Sequence, residues 1–334
     1  MELLYDLSGG KIDIFDDELA GKMCEYIMNF CISRGTYINF ADAASHINPN
    51  ARLIHRMGRR LGNDRLCAFA SNLAYPENTV GINTSQMYRF FKDLHENMPA
   101  PMEFVPHEKL WYDGLQVAIT NDADSGLFLA LKGGCNGESH NHNDVGQFIL
   151  FDRGEPVILD AGVEQYCRDT FSSRRYTLWA MRSAYHNVPE ISGVEQKPGK
   201  NFRAEVVSYD EATGALTLEL KNAYPAEANI DSYRRTASLA NGVVTVKDEI
   251  RLTKPGAVDF HYITLDKPEF ADGEVRFASG HVAKFDSALT PSADEIDLKK
   301  GKISREWHRE SLWRVNLTAK EEITEAAFVM TISK

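Results

Sequence analysis

Apolar residues in the first hundred positions recur every three to four residues, which predicts amphipathic helices. Four stretches fit this pattern: 16–33, 50–62, 64–73 and 85–96. In the first stretch the recurring apolar positions are Leu19, Met23, Ile27 and Cys31. Asn50 and Gly62 suit the two ends of the second stretch, because asparagine caps helix N-termini and glycine adopts the left-handed conformation that ends helices. We therefore predict antiparallel helical hairpins over residues 1–97.

The pattern changes to strict alternation after a proline-marked linker over residues 98–112, which predicts β-strands. The alternating runs are 127–131, 148–151, 157–159, 204–209 and 215–221. Turn sequences suited to hairpins occur at 212–214 and at Asn241–Gly242. Many strands at this spacing are typical of a sandwich. The predicted fold class is α+β multidomain, with a helical part followed by an antiparallel β-sandwich over residues 113–334.

Composition limits the classes of protein to which this chain could belong. The 334 residues have room for two cores, and no stretch approaches the roughly 20 apolar residues of a membrane span. A formal charge of -11 disfavours nucleic acid as a partner, because such binding needs a basic face. The five cysteines are scattered without CxxC spacing, so we predict neither a disulfide framework nor a thiolate metal site. We see no secretory signal after Met1.

The stretch that says most about chemistry contains His140, His142 and Asp144. On a strand these three side chains would project to the same side, because side chains alternate between faces. Two imidazoles so placed could share one metal ion or divide metal and substrate contacts between them. By itself, an HxH pattern is a weak signal.

Two further donors strengthen the pattern. Asp160 ends an apolar run just before a glycine, and His186 lies where the chain turns before Pro189. Together with water, His142, Asp160 and His186 would complete the tetrahedral set that zinc prefers. The residues alone leave a second interpretation open, in which the histidines are hydrogen-bonded in the interior and Asp160 caps a turn.

In this order along the chain, the motifs resemble those of the heparinase II/III-like family. The family pattern runs from HxHxD through an apolar strand with glycine to LDxG, and then to arginine and His-Asn. The matching stretches here are His140–Asp144, Phe151–Gly154, Leu159–Gly162 and Arg182–Asn187. The resemblance extends into the helical part at Asn39–Asp42 and Leu53–Gly58. It implies an incomplete (α/α) toroid before the sandwich, and cleavage of polyuronates such as heparan sulfate or alginate by β-elimination.

The resemblance also implies roles for the site residues. His140 would face the sugar as a catalytic residue, and His142, Asp160 and His186 would bind a structural zinc ion. The family supplies a proton-shuttling tyrosine from a Glu-Gly-x-x-Tyr motif that is not found in this sequence. We therefore expect a truncated chain whose activity is open.

Tyr166 and Tyr176 are the remaining candidates for a hydroxyl near His140, and Tyr176 is preferred as catalytic because two arginines precede it. An acidic polysaccharide also needs a local basic patch on this acidic chain. The short stretch that includes Arg168 supplies one, with Arg174, Arg175 and Arg182 expected to bind substrate together with Tyr166. A packed tyrosine and solvated surface arginines are the alternatives.

Two other functions remain open from the sequence. One is a metallohydrolase with an HxHxD site, although its motif would continue into another histidine where this chain has Val145. The other is a sandwich that binds glycans without cleaving them, through aromatics such as Trp111 and Trp179. Self-association as a homodimer is a further open expectation, and no membrane partner is expected. The family resemblance implies the periplasm, whereas a complete chain without a signal would be cytoplasmic.

Overall fold

The structure, a computed structural model, describes residues 1–75 and 87–334. It divides into two compact units. The helical unit contains Met1–Tyr37 and His46–Pro106, and the β unit contains Ile38–Ser45 and His107–Lys334. The eight-residue stretch Ile38–Ser45, here called the inserted segment, thus belongs to the β unit although the chain on both sides of it belongs to the helical unit. The domain boundaries predicted from the sequence, at residues 97 and 112, do not include this insertion of a β-unit segment into the helical part of the chain.

The helical unit contains five helices and one short hairpin among its described residues. Their bounds are α1 Glu2–Leu7, α2 Glu18–Asn29, β1 Cys31–Ser33, β2 Thr36–Tyr37, α3 Ala51–Leu61, α4 Asp64–Ala74 and α5 Met87–His95. The predicted caps of α3 are confirmed: the Asn50 side chain accepts from the backbone N–H of Leu53, and Gly62 is left-handed. Residues 85 and 86 of the fourth predicted helix lie outside the described residues.

The apolar stripe predicted for α2 is only partly buried. Leu19 and Met23 are exposed, and the side of α2 that packs into the core carries Ala20, Cys24 and Met28. Apolar residues spaced every four positions identify a helix, but two adjacent stripes of this helix have that spacing, so only the packing partners decide which one is buried. The predicted linker also packs: the Phe104 ring lies 5.3 Å from the Phe69 ring.

The β unit consists of antiparallel strands and one short helix, α6 Lys302–Trp307. Its strands are β3 Lys109–Tyr112, β4 Val117–Asp122, β5 Leu127–Lys132, β6 Cys135–Asn136, β7 Phe148–Asp152, β8 Glu155–Ile158, β9 Pro189–Ile191, β10 Gly199–Arg203, β11 Glu205–Tyr209, β12 Leu216–Glu219, β13 Ile230–Ala240, β14 Val243–Gly256, β15 Val258–Thr264, β16 Glu269–Ala271, β17 Glu274–Arg276, β18 Val282–Phe285, β19 Leu289–Asp297, β20 Ser311–Ala319 and β21 Ile323–Ser333. Both predicted hairpin turns are confirmed, since they connect β11 to β12 and β13 to β14.

Three sheets form the body of the β unit. Their strand orders are β3-β4-β5-β7-β8, β19-β20-β15-β9 and β11-β12-β13-β14-β21-β18-β17-β16. One hydrophobic core joins residues of all three, for example Phe148, Phe260 and Tyr233. This is a sandwich-like arrangement, because alternate side chains of facing sheets interdigitate in one apolar layer.

Two expectations about the fold need correction. The described helices do not form an evident (α/α) toroid. The HxHxD stretch is not a strand: residues 137–147 are turns and irregular chain, and β7 begins only at Phe148. The hydrophobic alternation that suggested a strand belongs to the residues after Gln147. In the described part of the chain, moreover, helices fall short of the length and apolar character that crossing a membrane requires.

Candidate functional site

Asp160 lies two residues after the end of β8, where the chain meets β15. The backbone N–H of Leu159 donates to the carbonyl of Ile263 at 2.9 Å, which fixes the chain just before Asp160. The Asp160 carboxylate is fully buried. Its Oδ1 accepts from the backbone N–H of Gly162, and its Oδ2 accepts from Gln147 Nε2 at 2.7 Å. Asp160 is therefore held at both oxygens.

His186 is placed against Asp160 by the residue that follows it. The buried Asn187 amide donates to the carbonyls of Phe148 and Leu159, and its Oδ1 accepts from the backbone N–H of Ile263. These bonds connect the turn that carries His186 to β7, to the residue that precedes Asp160, and to β15. As a result, His186 Nδ1 lies 3.1 Å from Asp160 Oδ2.

The structure brings His142, Asp160 and His186 together. One ligand atom from each lies within 4.8 Å of the other two, and all three residues are fully buried. Within the described part of the chain, His142 Nδ1 and His186 Nε2 have no hydrogen-bond partner. A buried ring nitrogen normally finds a partner, so two such atoms beside a carboxylate fit a group that binds a cation. This donor set of two imidazoles and one carboxylate suits zinc.

The ionisation of the trio follows from burial and mutual contact. Burial alone would raise the pKa of Asp160, but the adjacent His186 lowers it to about 2. Burial would lower the pKa of His186, and the charge of Asp160 outweighs it and raises that pKa. For His142, burial outweighs the contact with Asp42, so its pKa is lowered and the ring is neutral. A neutral imidazole is the form that binds a metal ion.

Asp144, the last residue of the HxHxD pattern, is directed away from this trio. Its Oδ1 accepts from Lys132 Nζ at 2.7 Å, and its Oδ2 accepts from Gln147 Nε2 at 2.6 Å. Lys132 is nearly as buried as Asp144. Through Gln147, this buried ion pair supports Asp160, so Asp144 acts on the trio indirectly.

Asp42 of the inserted segment contacts both histidines of the HxH pattern. Its side chain is 5% exposed. Its Oδ1 lies 3.0 Å from His142 Nε2, and its Oδ2 lies 3.0 Å from His140 Nδ1. Burial would raise the pKa of Asp42, but the hydrogen bonds from His142, Tyr166 and His140 outweigh it and hold that pKa far below its ordinary value. The carboxylate is therefore ionised.

His140 is the accessible member of the HxH pattern. Its side chain is 59% exposed, whereas that of His142 is fully buried. Its backbone is left-handed with φ of 60°, a conformation that costs a non-glycine residue on the order of 1 kcal/mol. Such strain persists only where surrounding contacts impose it.

The two candidate tyrosines differ in what their hydroxyls contact. Tyr166 donates to Asp42 Oδ2 at 2.8 Å and lies 3.3 Å from His140 Nδ1. Tyr176 donates instead to Asn141 Oδ1 at 2.8 Å. Tyr166 is therefore the hydroxyl that the structure places beside His140.

The three arginines expected to bind substrate all have partners within the protein. Arg174 donates to Asp169, and Arg182 pairs with Glu195. Arg175 is the most constrained, since it donates to Asp42 at 2.8 Å and to the backbone carbonyls of Asn141 and Thr170. Its charge is directed into the protein rather than towards a bound anion.

The family described as "Heparinase II/III-like, C-terminal" matches residues 114–326, which is more than half of the chain. The chain belongs to this family. The match covers all residues of the buried trio together with His140 and both tyrosines. The metallohydrolase alternative is disfavoured because the strands of the β unit follow one another without alternating with α-helices, apart from the short α6. No curated protein is significantly similar to the chain in sequence.

Several solved structures are similar to the chain in fold. A structure entitled "Crystal Structure of Heparinase III" has a TM-score of 0.65 at 15% identity, covering 98% of this chain and 50% of that one. A heparinase III gene product with methylated lysines gives 0.65 at 14% identity, with coverage of 94% and 45%. The heparan sulfate lyase HepC of Pedobacter heparinus gives 0.63 at 15%, with coverage of 94% and 46%. The chain thus spans about half the length of these proteins.

Sequence reasoning singled out the trio and His140 but missed three residues that position them. Asn187 ends one of the matching stretches and Asp42 ends another, but the sequence assigns neither a role, and Gln147 lies three residues after the HxHxD pattern. A buried amide or carboxylate has no periodic signature. The only available signal was the presence of polar residues in otherwise apolar surroundings.

Proposed function

We propose that this protein acts on uronate-containing glycans as a polysaccharide lyase, of the heparan sulfate or alginate type. The observation that carries the proposal is an exposed imidazole, His140, beside the Tyr166 hydroxyl and next to a buried trio suited to zinc. Membership of the heparinase II/III-like family agrees with it. The substrate class comes from the family, since the arginines near the site are already paired.

β-Elimination removes the C5 proton of a uronate, forms the C4–C5 double bond and releases the sugar attached at C4. It needs a base, neutralisation of the carboxylate and a proton for the departing oxygen. His140 is proposed to take the C5 proton or to hold the carboxylate. Burial and the hydrogen bond to Asp42 raise the pKa of Tyr166, so its hydroxyl stays protonated and is suited to protonate the departing oxygen.

The trio is proposed to hold a structural zinc ion. His142 Nδ1 and His186 Nε2 are the nitrogen atoms left for it, and Asp160 supplies the oxygen. A zinc ion bound there would connect three segments: the loop that carries the HxH pattern, the chain just after β8, and the turn before β9. His140 would then be anchored two residues from a rigid point.

We propose that a larger assembly of helices forms the rest of the active cleft. The family resemblance implies an (α/α) toroid, and the exposed Leu19 and Met23 of α2 support a helical unit that packs against further helices. The structures that resemble the chain are about twice its length. Activity is therefore to be tested on both this chain and its full reading frame.

A lyase assay tests the function. The protein is mixed with heparan sulfate or alginate, and the ultraviolet absorbance of the unsaturated uronate is followed. We expect His140→Ala and Tyr166→Phe each to lower the rate by about 100-fold or more, because proton transfer by a placed side chain contributes about 10²- to 10⁴-fold. Tyr176→Phe is the matched comparison, and a smaller loss is expected because its hydroxyl bonds to Asn141.

The result can contradict the proposal in two ways. Absence of unsaturated product with both chain lengths would leave a sandwich that binds glycans without cleaving them. A larger loss in Tyr176→Phe than in Tyr166→Phe would restore Tyr176 as the catalytic tyrosine.

Elemental analysis of the purified protein tests the metal site. We expect about one zinc ion per chain in the wild type, and near-complete loss in His142→Ala and in Asp160→Ala, since each removes one of three protein ligands. The exposed His308→Ala variant serves as a control and should keep its zinc. A folded wild type that takes up no zinc after incubation with the ion would reject the assignment.

A further inference from the structure

We propose that Asp42 is the positioning residue of this site: its carboxylate sets the ring orientation and tautomer of both His142 and His140. The inference rests on the proposed function for the use made of His140. It concerns a residue from the inserted segment, about 100 positions before the two histidines in the chain. Asp42 links the buried trio of His142, Asp160 and His186 to the exposed side of the site that carries His140.

The two carboxylate oxygens of Asp42 accept hydrogen bonds from different groups. Oδ1 accepts from His142 Nε2 at 3.0 Å and from Arg175 Nη2 at 2.8 Å. Oδ2 accepts from His140 Nδ1 at 3.0 Å and from Tyr166 at 2.8 Å. An ionised carboxylate has about four acceptor positions, so these four donors occupy it fully. The carboxylate cannot rotate without breaking several of these bonds.

For His142 the consequence is a defined tautomer. Asp42 Oδ1 lies 3.0 Å from Nε2 and is an acceptor, so Nε2 carries the proton of this hydrogen bond. Nδ1 then keeps its lone pair, and this is the buried atom without a partner in the described structure. A carboxylate that fixes the tautomer of a ligand histidine in this way strengthens metal binding.

For His140 the same reasoning assigns the proton to Nδ1. In the neutral ring, Nε2 is then the nitrogen with the free lone pair, on a side chain that is 59% exposed, and this is the atom that could accept a proton from a sugar. The bond to Asp42 also helps to hold the left-handed backbone at His140. Ala41, next to Asp42, is left-handed as well, with φ of 61°. Left-handed backbone thus occurs at His140 itself and at the residue directly before Asp42.

The inserted segment is anchored on each side of Asp42. Asn39 Nδ2 donates to the backbone carbonyl of Asp160 at 2.9 Å, and the Ser45 hydroxyl donates to Glu306 at 2.7 Å. The first anchor attaches the segment to a residue of the trio itself. Asp42 is consequently presented from a fixed loop rather than from a free one.

Nitrogen NMR of protein with ¹⁵N-labelled histidine tests the inference directly. Long-range proton–nitrogen spectra distinguish the two neutral tautomers of each ring, and the signals are assigned by their loss in His140→Gln and His142→Gln. In zinc-free wild type we expect His142 protonated on Nε2 and His140 on Nδ1. The opposite tautomer in His142 would overturn the inference without any Asp42 variant. The spectra need neither zinc nor glycan, so this failure is distinguishable from failure of the lyase proposal.

Variants extend the test to metal binding. Asp42→Asn keeps the shape but cannot accept from both rings, so we expect altered His140 and His142 signals and a 10- to 100-fold weaker affinity for zinc, measured by competition with a chelator. Asp152→Asn is the matched control: Asp152 is also a mostly buried carboxylate with several basic partners, Lys334 and Arg153 among them. It should leave both readouts unchanged. Wild-type signals and affinity in Asp42→Asn would overturn the inference.

Discussion

At the scale of single residues, one buried guanidinium connects the largest sheet to the site. Arg235 on β13 is fully buried and donates from Nε and Nη2 to Asp248, its cross-strand neighbour on β14. Its Nη1 donates to the carbonyls of Gly146 and Asn187, which lie in the HxHxD loop and beside His186. Burial would lower the pKa of Arg235, but Asp248 raises it, so the guanidinium stays charged.

Removing this guanidinium should destabilise the β unit strongly. We expect Arg235→Met to lower the free energy of unfolding by about 3–5 kcal/mol, because it leaves the Asp248 carboxylate buried without its countercharge. Urea denaturation followed by tryptophan fluorescence measures it, and all four tryptophans lie in the β unit.

The double variant Arg235→Met with Asp248→Leu is the control. It should recover much of the loss, since removing both charges of a buried pair costs less than removing one. A single variant that loses less than about 1 kcal/mol would contradict the role given to Arg235.

At the scale of elements, α3 and α4 approach each other closely at Gly58. A Cβ atom added at Gly58 would lie 2.8 Å from Cys67 Sγ and 2.9 Å from the backbone nitrogen of Cys67. The sequence alone ranks glycine as unfavourable inside a helix, by about 1 kcal/mol relative to alanine. Packing explains why glycine occupies position 58, because only a residue without a Cβ fits this contact.

Two glycine-to-alanine substitutions separate propensity from packing. We expect Gly58→Ala to destabilise the helical unit by about 1–3 kcal/mol through overpacking. Gly21→Ala in α2 should stabilise it by about 0.5–1 kcal/mol, since its added Cβ would have only a Leu61 methyl at 4.0 Å. Thermal melting followed by far-ultraviolet circular dichroism compares the two. Equal stabilisation by both would show that the close contact at Gly58 is absent.

At the scale of the whole molecule, two features matter for the site: the inserted segment and the negative net charge. The β unit is not continuous in sequence, because Ile38–Ser45 belongs to it. The formal charge of -11 would repel a polyanion, and the arginines nearest to the site are already paired. Under the proposed function, a glycan would therefore be recognised chiefly by direct contacts in the site rather than by a broad positive surface.

Local physical rules explain why part of this structure could be predicted from the sequence. The caps at Asn50 and Gly62 and the hairpin turn at Asn241 depend on residues within a few positions of each other, so the amino acids there determine the geometry. The ordered motifs likewise identified the members of the buried trio. Their selection needed the family resemblance, because two histidines and an aspartate alone also fit an interior hydrogen-bonded cluster.

Tertiary structure decided what depends on distant contacts. Asp42 meets its two histidines across about 100 residues, a pairing that no periodicity encodes. The same applies to the α2 stripe, where packing partners rather than spacing left Leu19 exposed, and to Arg175, which the fold directs inward. Sequence patterns determine which segments become helices, strands and turns, because these are set by local backbone preferences. Which polar groups meet in the interior is determined by the assembled fold, because each buried group must find its partner wherever the chain brings one.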